Sequence, residues 1–384
     1  MVDTLPMTTS FIYSDKFQQY DYGGTHPLKM LRLLLTYELL KGYGVFDREG
    51  VSLVEALPCN AEEAETVHSP YYLKALKGID EGVMPPEPRA YGLGYGDNPV
   101  FKGVYAGSML STGASLQAAR LVDEMAAGSA FNIAGGLHHA MPKHASGFCY
   151  INDPAVAIKD LLKKGRKVAY IDIDAHHGDG VQSVFYDTDQ VLTISLHESG
   201  DYLFPGSGFP EDTGIGKGRG YSVNFPLLPG TGDEVFTWAF FETVPPLIDA
   251  FRPDIIVTQL GCDTFETDPL THLRLTTHGF TKMVEGFAAM KLPWAALGGG
   301  GYNVTNVARA WALAFAVMAG IELPDALPDI YKALLKKHNL SGELLRDPSS
   351  TRETAGELKK EKKAAEDILT RLKKEIFPVH GIRV

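Results

Sequence analysis

Short runs of apolar and β-branched residues recur along the chain, and a turn dense in Gly, Asp or His follows each of them. Because these runs are apolar on both faces and alternate with helix-patterned segments, they indicate a mostly parallel sheet covered by helices on both sides. The predicted strands are 131–134, 168–173, 191–196, 255–260 and 294–297. The pattern therefore predicts an α/β fold.

Helix-patterned segments separate these strands. Segment 154–164 follows Asn152 and Asp153, which are typical helix caps, and it precedes Gly165, which is typical of a helix end. A second apolar segment, 310–321, is shorter than the roughly 20 residues that cross a bilayer. It therefore predicts a buried helix and not a membrane span.

The C-terminal part of the chain has a different composition. Segment 352–377 is rich in Glu and Lys, and its apolar residues recur at helical spacing. This pattern predicts an amphipathic helix that packs on the rest of the protein, with the charged run 359–363 as its solvated face. Because no linker or internal repeat divides the sequence, we expect one domain over residues 1–384, with its core at about 11–320 and a helical extension at about 322–384.

Charge and composition narrow the class of function. With 36 Lys and Arg against 47 Asp and Glu, the formal net charge is −11, which disfavours nucleic-acid binding because that binding depends on clustered cations. The content of 45% hydrophobic and 22% charged residues is typical of a globular protein. The 3 cysteines lack the spacing of a disulfide framework or a thiolate metal site. Without a leader pattern at its start, the sequence predicts a cytoplasmic protein with neither membrane nor nucleic-acid partners.

Candidate metal ligands follow two of the predicted strands. Strand 168–173 leads directly into the sequence DAHHGDG. Residues two apart at the end of a strand project to the same side, so Asp174 and His176 can converge on one divalent cation such as zinc, with iron(II), cobalt or manganese as alternatives. Asp263, after strand 255–260, is the best candidate for a third ligand. The alternative is that these side chains only cap helices and loops.

A pair of adjacent histidines, His138 and His139, follows another strand. Two glycines precede them and permit the irregular turn that neighbouring side chains need in order to serve one site. Imidazole titrates near neutrality and can move protons to and from an activated water. Asp172 and Asp179 are close in sequence to the proposed ligands and are candidates to orient the two imidazoles. The alternative is a pair of core or interface histidines.

Four glycines, 298–301, end the last predicted strand and precede Tyr302. Glycines permit a close approach of the backbone to a ligand, and here they put a tyrosyl hydroxyl at the edge of the sheet. A phosphate-binding loop and a serine-nucleophile elbow are both disfavoured, because the spacing that each requires is absent.

Taken together, these motifs resemble those of the zinc-dependent histone deacetylase superfamily, in particular its class-I-like bacterial acetoin-utilization branch. The motifs are GGLHHA, IDIDAHHGDG, LGCD and GGGGY, and the resemblance extends over about 11–320. It implies an eight-stranded parallel sheet between helices, in agreement with the strand pattern. It also implies zinc-dependent hydrolysis of the acetyl amide on a lysine side chain, with K⁺ as a structural ion.

The resemblance assigns roles to individual residues. The metal ligands are Asp174, His176 and Asp263. The catalytic residues are His138 with Asp172, His139 with Asp179 as the main general base and then acid, and Tyr302 as the donor to the acetyl oxygen. The substrate-binding residues are Asp97 at the rim, Gly147, Phe148 and Phe204 along a narrow tube, Leu270 at its mouth, and Arg32 in an internal cavity for acetate. The potassium ligands are Asp172, Asp174, His176, Ser195 and Leu196 at one site, and Phe185, Thr188, Val191 and Tyr221 at a second.

The stretch after Asp263 departs from the eukaryotic members of that family. It is Thr-Phe-Glu-Thr-Asp-Pro-Leu where they have Ser-Leu-Ser-Gly-Asp-Arg-Leu, and the loop 92–96 is rich in glycine. Both segments lie at the expected rim, so they affect the choice of substrate and leave the reaction unchanged.

The expected substrates are acetylated lysines of proteins, and the bacterial branch implies acetyl-coenzyme A synthetase among them. Acetylated polyamines or other small acetylated amines are alternative substrates. A binuclear manganese ureohydrolase is less favoured, because Phe265 stands where a second metal would need a carboxylate. A non-catalytic acyl-lysine binding protein is a further alternative, although the residues for activating water are all present.

Overall fold

The apolar runs form the strands of a parallel sheet. A computed structural model describes residues 8–94, 96–125, 127–349 and 355–383. The strands are β1 (Thr9–Tyr13), β2 (Val51–Glu55), β3 (Ser129–Asn132), β4 (Val168–Asp172), β5 (Val191–Glu198), β6 (Ser222–Leu227), β7 (Ile255–Gln259) and β8 (Trp294–Leu297). Within the described residues they form one eight-stranded sheet in the order β2-β1-β3-β8-β7-β4-β5-β6, and every pair is parallel. The predicted α/β fold is confirmed.

Helices shield both faces of this sheet. They are α1 (Leu31–Gly42), α2 (Ala61–Ala64), α3 (Pro70–Asp80), α4 (Val104–Asp123), α5 (Asp153–Lys163), α6 (Asp179–Phe185), α7 (Asp233–Phe251), α8 (Thr277–Ala289), α9 (Val304–Met318), α10 (Asp329–Lys337) and α11 (Ala355–Glu375). Every residue of β3, β4, β7 and β8 is buried. Because successive strand residues point to opposite faces, this burial requires cover on both sides.

The five predicted strands correspond to β3, β4, β5, β7 and β8, whereas β1, β2 and β6 were not predicted. The strand β2 lies at one edge of the sheet and leaves Leu53 46% exposed, so it lacks a continuous apolar run. At the opposite edge, β6 contains Asn224 and Pro226, which interrupt its apolar pattern. The pattern missed β2 because that edge strand is partly solvated, and it missed β1, which is fully buried, because the strand is short and begins with two polar residues.

The four strands that precede the chemistry-bearing motifs are consecutive in the middle of the sheet, in the order β3-β8-β7-β4. Their carboxyl ends are level, because Asn132 pairs with Leu297, Leu297 with Gln259, and Gln259 with Asp172. Ligands of open α/β sheets bind beyond these ends. The four motif loops therefore meet in one place.

The buried helix predicted at 310–321 corresponds to α9, which begins and ends earlier than the apolar run. The predicted helix 154–164 corresponds to α5, and the Oδ1 of Asn152 caps it by accepting from the amide of Ala155 at 3.0 Å. Among the described residues, no helix has both the length and the apolar content to cross a bilayer.

The helix predicted at 352–377 corresponds to α11, which packs against β6 and α7; residues 352–354 lie outside the described part of the chain. The expectation that the run 359–363 is a solvated face was wrong in part. Glu361 is only 6% exposed, and Lys362 lies over the ring of Trp238, with its Nζ 3.4 Å from the ring centroid. The 3.6-residue period places Glu361 on the same face as the buried Ala365. A single-domain organisation stays a prediction.

Candidate metal centre and hydrolytic site

Asp174, His176 and Asp263 form a buried group beyond the carboxyl ends of β4 and β7. Their ligand atoms all lie within 4.8 Å of one another. The Nδ1 of His176 is 3.1 Å from Oδ1 of Asp174 and 2.9 Å from Oδ2 of Asp263. The structure thus brings together the three residues that the sequence predicted as metal ligands.

Neighbouring groups hold the two carboxylates in place. Oδ2 of Asp174 accepts from Nε2 of Gln259 at 2.6 Å and from the amide of Gly300 at 2.7 Å. A β-carbon at Gly261 would collide with the carboxylate of Asp174, and one at Gly300 would collide with that of Asp263. Glycine is therefore required at both positions. Gln259 was not predicted, although a buried polar residue at the end of an apolar strand was the signal for it.

The charges of this group fit a divalent cation. Burial and the charge of Asp174 raise the pKa of Asp263 to about 7. Burial lowers the pKa of His176, but the two carboxylates outweigh burial and hold that pKa well above its usual value. In the absence of a cation, a proton on His176 compensates part of the buried negative charge. Two carboxylates and one imidazole are a donor set that suits Zn²⁺ and also Fe²⁺ or Co²⁺.

The adjacent histidines form a second buried group beside the first. The Nε2 atoms of His138 and His139 are 3.0 Å apart. Nδ1 of His138 is 2.7 Å from Oδ2 of Asp172, and Nδ1 of His139 is 2.7 Å from Oδ1 of Asp179. The hydroxyl of Tyr170 also donates to Asp172, at 2.7 Å. Each imidazole therefore has its own carboxylate, in the pairing that the family resemblance implied.

The two imidazoles have opposite pKa shifts. Burial lowers the pKa of His138, but Asp172 and Asp174 outweigh this effect and raise the pKa to about 9. Burial and then the charge of His138 lower the pKa of His139 to about 4. Near neutral pH, the pair therefore carries one positive charge, on His138, and leaves His139 neutral.

Gly136 allows the turn between β3 and these histidines. Its φ of +86° is in the left-handed region, and a β-carbon there would lie 2.7 Å from the backbone carbon of Gly298. The turn therefore packs directly against the glycine loop that follows β8. This contact brings the histidine pair and the glycine loop into one site.

Tyr302, at the end of the glycine loop, is held by its backbone. Its amide donates to Oδ2 of Asp268 at 2.8 Å, and the other carboxylate oxygen of Asp268 accepts from the amide of Leu270 at 3.0 Å. Burial and then the charge of Asp263 raise the pKa of Tyr302 well above its usual value, so its hydroxyl stays protonated and able to donate. Asp268 was not predicted as a site residue, because only the tertiary structure shows that it links Leu270 to Tyr302.

Aromatic side chains line the approach to this site. The ring centroids of Phe148 and Tyr302 are 5.6 Å apart, and those of Phe204 and His139 are 5.0 Å apart. A β-carbon at Gly147 would lie 2.5 Å from the ring of His139 and 2.8 Å from that of Phe204. Gly147 therefore permits the close approach of His139 and Phe204, and Phe204 is 42% exposed.

The predicted rim residues lie near the surface. Asp97 is exposed, and its carbonyl oxygen is 3.1 Å from Nε2 of His26. Leu270 is half-buried and belongs to the stretch that departs from eukaryotic sequences. In that stretch the exposed Glu266 forms an ion pair with Arg274 at 2.8 Å. The expectation that this whole stretch lies at the rim was wrong in part, because Glu266 and Thr267 are exposed but Thr264 and Phe265 are buried.

Arg32 lies beneath the site. Its Nη1 donates to the carbonyl oxygens of Gly299 and Gly301 at 2.8 and 3.0 Å, and its guanidinium lies 5.1 Å from the ring centroid of Trp311. It lines a small pocket that also touches the histidine pair and Tyr302. The same arginine lines an adjoining, largely apolar pocket. Arg32 therefore lies where the sequence predicted an internal cavity.

The residues predicted to bind potassium lie along β5 and its neighbours. Asp172 and Ser195 are register partners in β4 and β5. Phe185 ends α6, Thr188 follows it, and Val191 begins β5. The carbonyl oxygen of Tyr221 accepts from the amide of Thr193 at 2.9 Å. Potassium binding stays a prediction.

Comparison with known families gives one extended match. The model of the "Histone deacetylase domain" matches residues 26–318 of this chain. This range contains the metal-ligand group, the histidine pair and the glycine loop.

Two curated proteins illustrate the similarity. The chain is 42% identical over 328 residues to "Acetoin utilization protein AcuC" of Bacillus subtilis (strain 168), covering 83% of this chain and 84% of that protein. It is 41% identical over 321 residues to "Histone deacetylase 1" of Homo sapiens, covering 83% of this chain but 66% of the human protein. The human protein thus has about a third of its length outside the match.

A solved structure has the same architecture. The crystal structure of an HDAC homolog from Aquifex aeolicus superposes with a TM-score of 0.86 at 36% identity, covering 94% of this chain and 100% of that one. A structure of an HDAC homolog complexed with SAHA matches with the same TM-score and identity.

Proposed function

The chain belongs to the histone deacetylase family, and we propose that it is a zinc-dependent hydrolase that removes acetyl groups from the lysine side chains of proteins and releases acetate. One observation carries this proposal. Asp174, His176, the histidine pair and Tyr302 line one pocket, which Phe148 also lines, and Phe204 lies against His139. We propose that Phe148 and Phe204 border a narrow passage into this pocket.

Asp174, His176 and Asp263 would hold the metal, with Zn²⁺ as the proposed ion and Fe²⁺ or Co²⁺ as alternatives. When bound, the ion lowers the pKa of a water molecule and polarises the acetyl carbonyl. Potassium, at the two groups of residues along β5, is proposed as a structural ion.

The histidine pair would move the protons of the reaction. Neutral His139 would accept the proton of the attacking water at Nε2, where the water replaces the hydrogen bond from Nε2 of His138, while Asp179 holds Nδ1 of His139. As the amide C–N bond breaks, the same imidazole returns a proton to the lysine nitrogen, so the products are acetate and the lysine amine. His138, protonated and paired with Asp172, supplies positive charge next to the developing negative charge.

Tyr302 would stabilise the transition state. Its protonated hydroxyl donates to the acetyl oxygen as that oxygen becomes negative. Asp268 fixes the backbone of Tyr302 from outside the passage and is a proposed positioning residue.

The passage suits an acetylated lysine. The methylenes and the neutral amide of acetyl-lysine can enter between Phe148 and Phe204 without the desolvation of a charge, whereas a free ammonium group would have to lose its hydration. Gly147 would leave room for the chain, while Asp97 and Leu270 would contact the substrate at the rim. Arg32 would line the cavity that receives acetate.

Acetylated metabolic enzymes, such as acetyl-coenzyme A synthetase, are the proposed protein substrates. This proposal follows the resemblance to the acetoin-utilization branch and the similarity to the Bacillus subtilis protein. The ureohydrolase alternative is disfavoured, because Phe265 is buried with its ring centroid 5.7 Å from that of Phe280 and offers no ligand for a second metal.

The direct test is acetate release by the metal-loaded protein from an acetyl-lysine peptide, free acetyl-lysine and an acetylpolyamine, each with and without a chelator. We expect chelator-sensitive release that is fastest on the peptide. Fastest release from the polyamine would replace the proposed substrate class, and no release from any substrate with metal bound would contradict the hydrolase function.

A further inference from the structure

Asp153, at the first position of α5, contacts the turn that carries the histidine pair. Its Oδ1 accepts from the amide of Leu137 at 2.8 Å, and its Oδ2 accepts from the amide of Gly136 at 2.9 Å and from the hydroxyl of Ser115 at 2.5 Å. The carboxylate is fully buried. A β-carbon at Gly135 would lie 2.5 Å from Oδ2 of Asp153, so the glycine permits this approach.

Asn152 contacts the same turn on its C-terminal side. Its Nδ2 donates to the carbonyl oxygen of Ala140 at 2.9 Å and to that of His138 at 3.2 Å. Its Oδ1 is already used, because it caps α5 through the amide of Ala155. The side-chain amide therefore joins the beginning of the helix to the backbone on both sides of His139.

Together the two residues contact the turn at four points of its backbone, two amides before His138 and the carbonyls of residues 138 and 140. Capping alone does not explain this arrangement. A serine or threonine caps a helix as well as asparagine does, but its short side chain has no amide to reach two carbonyls. The carboxylate of Asp153, for its part, is directed at the amides of Gly136 and Leu137.

We propose that Asn152 and Asp153 are positioning residues that fix the backbone of the His138–His139 turn, and thereby the placement of both imidazoles for hydrolysis. The effect that we expect on hydrolysis rests on the proposed function. Neither residue touches the substrate. The hydrogen bonds from each imidazole to its carboxylate set the direction of the ring, while the α5 contacts set the position from which the ring projects.

The inference predicts a specific kinetic effect. Reactions that depend on the alignment of a base with water lose about 10²-fold in rate for a displacement of about 1 Å. Loss of the Asn152 amide removes two of the four contacts, so we expect kcat to fall by about 10-fold or more. The aromatic passage is untouched, and KM should change by less than about 3-fold.

The test uses full-length Asn152→Ser, which keeps a capping oxygen but removes the amide, and the matched control Asn60→Ser. Asn60 caps α2 by accepting from the amide of Glu63 at 2.9 Å and lies outside the site. Ser115→Ala, which removes one donor to Asp153, is made in parallel so that a second variant remains if Asn152→Ser does not fold. Each protein is measured for kcat and KM on an acetyl-lysine peptide, for bound metal and for thermal unfolding.

A spectroscopic measurement tests the placement of the rings independently of activity. In protein with ¹⁵N-labelled histidine, the Nδ1 protons that His138 and His139 share with their carboxylates should give downfield NMR signals. We expect these signals to shift or broaden in Asn152→Ser and, to a smaller extent, in Ser115→Ala, but not in Asn60→Ser.

The inference would be overturned if the Nδ1 signals of Asn152→Ser and Ser115→Ala did not move and kcat per bound metal equalled that of the wild type. A lower unfolding temperature of these variants would not change that conclusion. If the wild type itself released no acetate, the proposed function would fail, and the NMR signals alone would still decide whether α5 positions the histidine pair.

Discussion

The hydroxyl of Tyr302 is the donor in this site whose role can be tested by removing a single atom. Burial and the two nearby aspartates keep it protonated, and the amide contact with Asp268 holds its backbone. The ring is 5.6 Å from that of Phe148, so its orientation is supported by packing as well. A phenylalanine at this position would keep the packing and lose only the donor.

We therefore predict that Tyr302→Phe lowers kcat on an acetyl-lysine peptide by about 10²-fold or more, as the loss of one oxyanion donor usually does. Steady-state kinetics with metal-saturated protein measure this effect. Tyr71→Phe is the matched control, because Tyr71 is 79% exposed and should leave kcat unchanged. Equal rates for wild type and Tyr302→Phe would remove the hydroxyl from the mechanism.

At the scale of elements, the site depends on two turns that touch each other, one after β3 and one after β8. Gly136 makes this contact possible, because a β-carbon there would meet the backbone of Gly298. Gly165, after α5, has a similar positive φ of +77°, but a β-carbon added there would have nothing within 4 Å. Alanine at Gly165 should therefore cost only the free energy of the strained φ. Alanine at Gly136 should cost that free energy and also the free energy of the collision with Gly298.

We predict that Gly165→Ala lowers the free energy of unfolding by about 1 kcal/mol, the usual cost of a positive φ for alanine. Gly136→Ala should lower it by a further 1–3 kcal/mol or so because of the collision, and should also reduce kcat. Denaturant unfolding of both variants measures the difference. Equal losses of stability would mean that the two turns are free to separate.

A buried histidine connects the beginning of α5 to the segment between α2 and α3. Nε2 of His68 accepts from the amide of Asn152 at 2.9 Å, and burial lowers its pKa to about 4. In the unfolded chain the pKa of a histidine is about 6.5. Between about pH 4 and pH 6.5, His68 therefore binds more protons in the unfolded chain than in the folded protein. Stability from this group is therefore complete above about pH 6.5 and falls as the pH decreases towards 4.

We predict that lowering the pH from 7.5 to 4.5 costs the wild type roughly 2–3 kcal/mol more than it costs His68→Gln, since glutamine can accept the same hydrogen bond but does not titrate. Denaturant unfolding of the two metal-free proteins measures this difference, in which all other titrating groups cancel. The same pH dependence in both proteins would show that His68 is protonated in the folded state.

At the scale of the whole molecule, the proposed metal binding would be coupled to stability. Asp174 and Asp263 are buried next to each other, and only part of their negative charge is compensated by His176. Sequence-distant segments must come together to make this group, so the unfolded chain does not have it. A cation that binds only the folded protein stabilises it by mass action.

We predict that removal of metal by a chelator lowers the free energy of unfolding by about 3 kcal/mol relative to protein at a free Zn²⁺ concentration 100 times the Kd. Thermal unfolding with and without Zn²⁺ measures the shift. In Asp263→Asn the shift should disappear, while the metal-free variant should be at least as stable as metal-free wild type, because one buried charge is gone. An undiminished shift in Asp263→Asn would exclude Asp263 as a ligand.

The sequence by itself determined five of the six interior strands and most of the side chains that meet at the candidate site. The strands β3, β4, β5, β7 and β8 are buried on both faces, so their apolar runs are continuous, and turn motifs mark their ends. Metal ligation and proton transfer need particular side chains at particular spacings, and these are visible in a single sequence. Weaker patterns came from the short strand β1, from the edge strands β2 and β6, and from the buried face of α11 at Glu361.

The tertiary structure decided which loops meet. Strand order places β8 and β7 between β3 and β4, although they are far away in sequence, and register makes their ends level. The tertiary structure also decided which residues support the site. These residues form hydrogen bonds to partners that no local spacing connects to them, and they are Gln259, Asp268, Asn152 and Asp153. Such contacts depend on distances between elements, and these distances exist only after the core has packed.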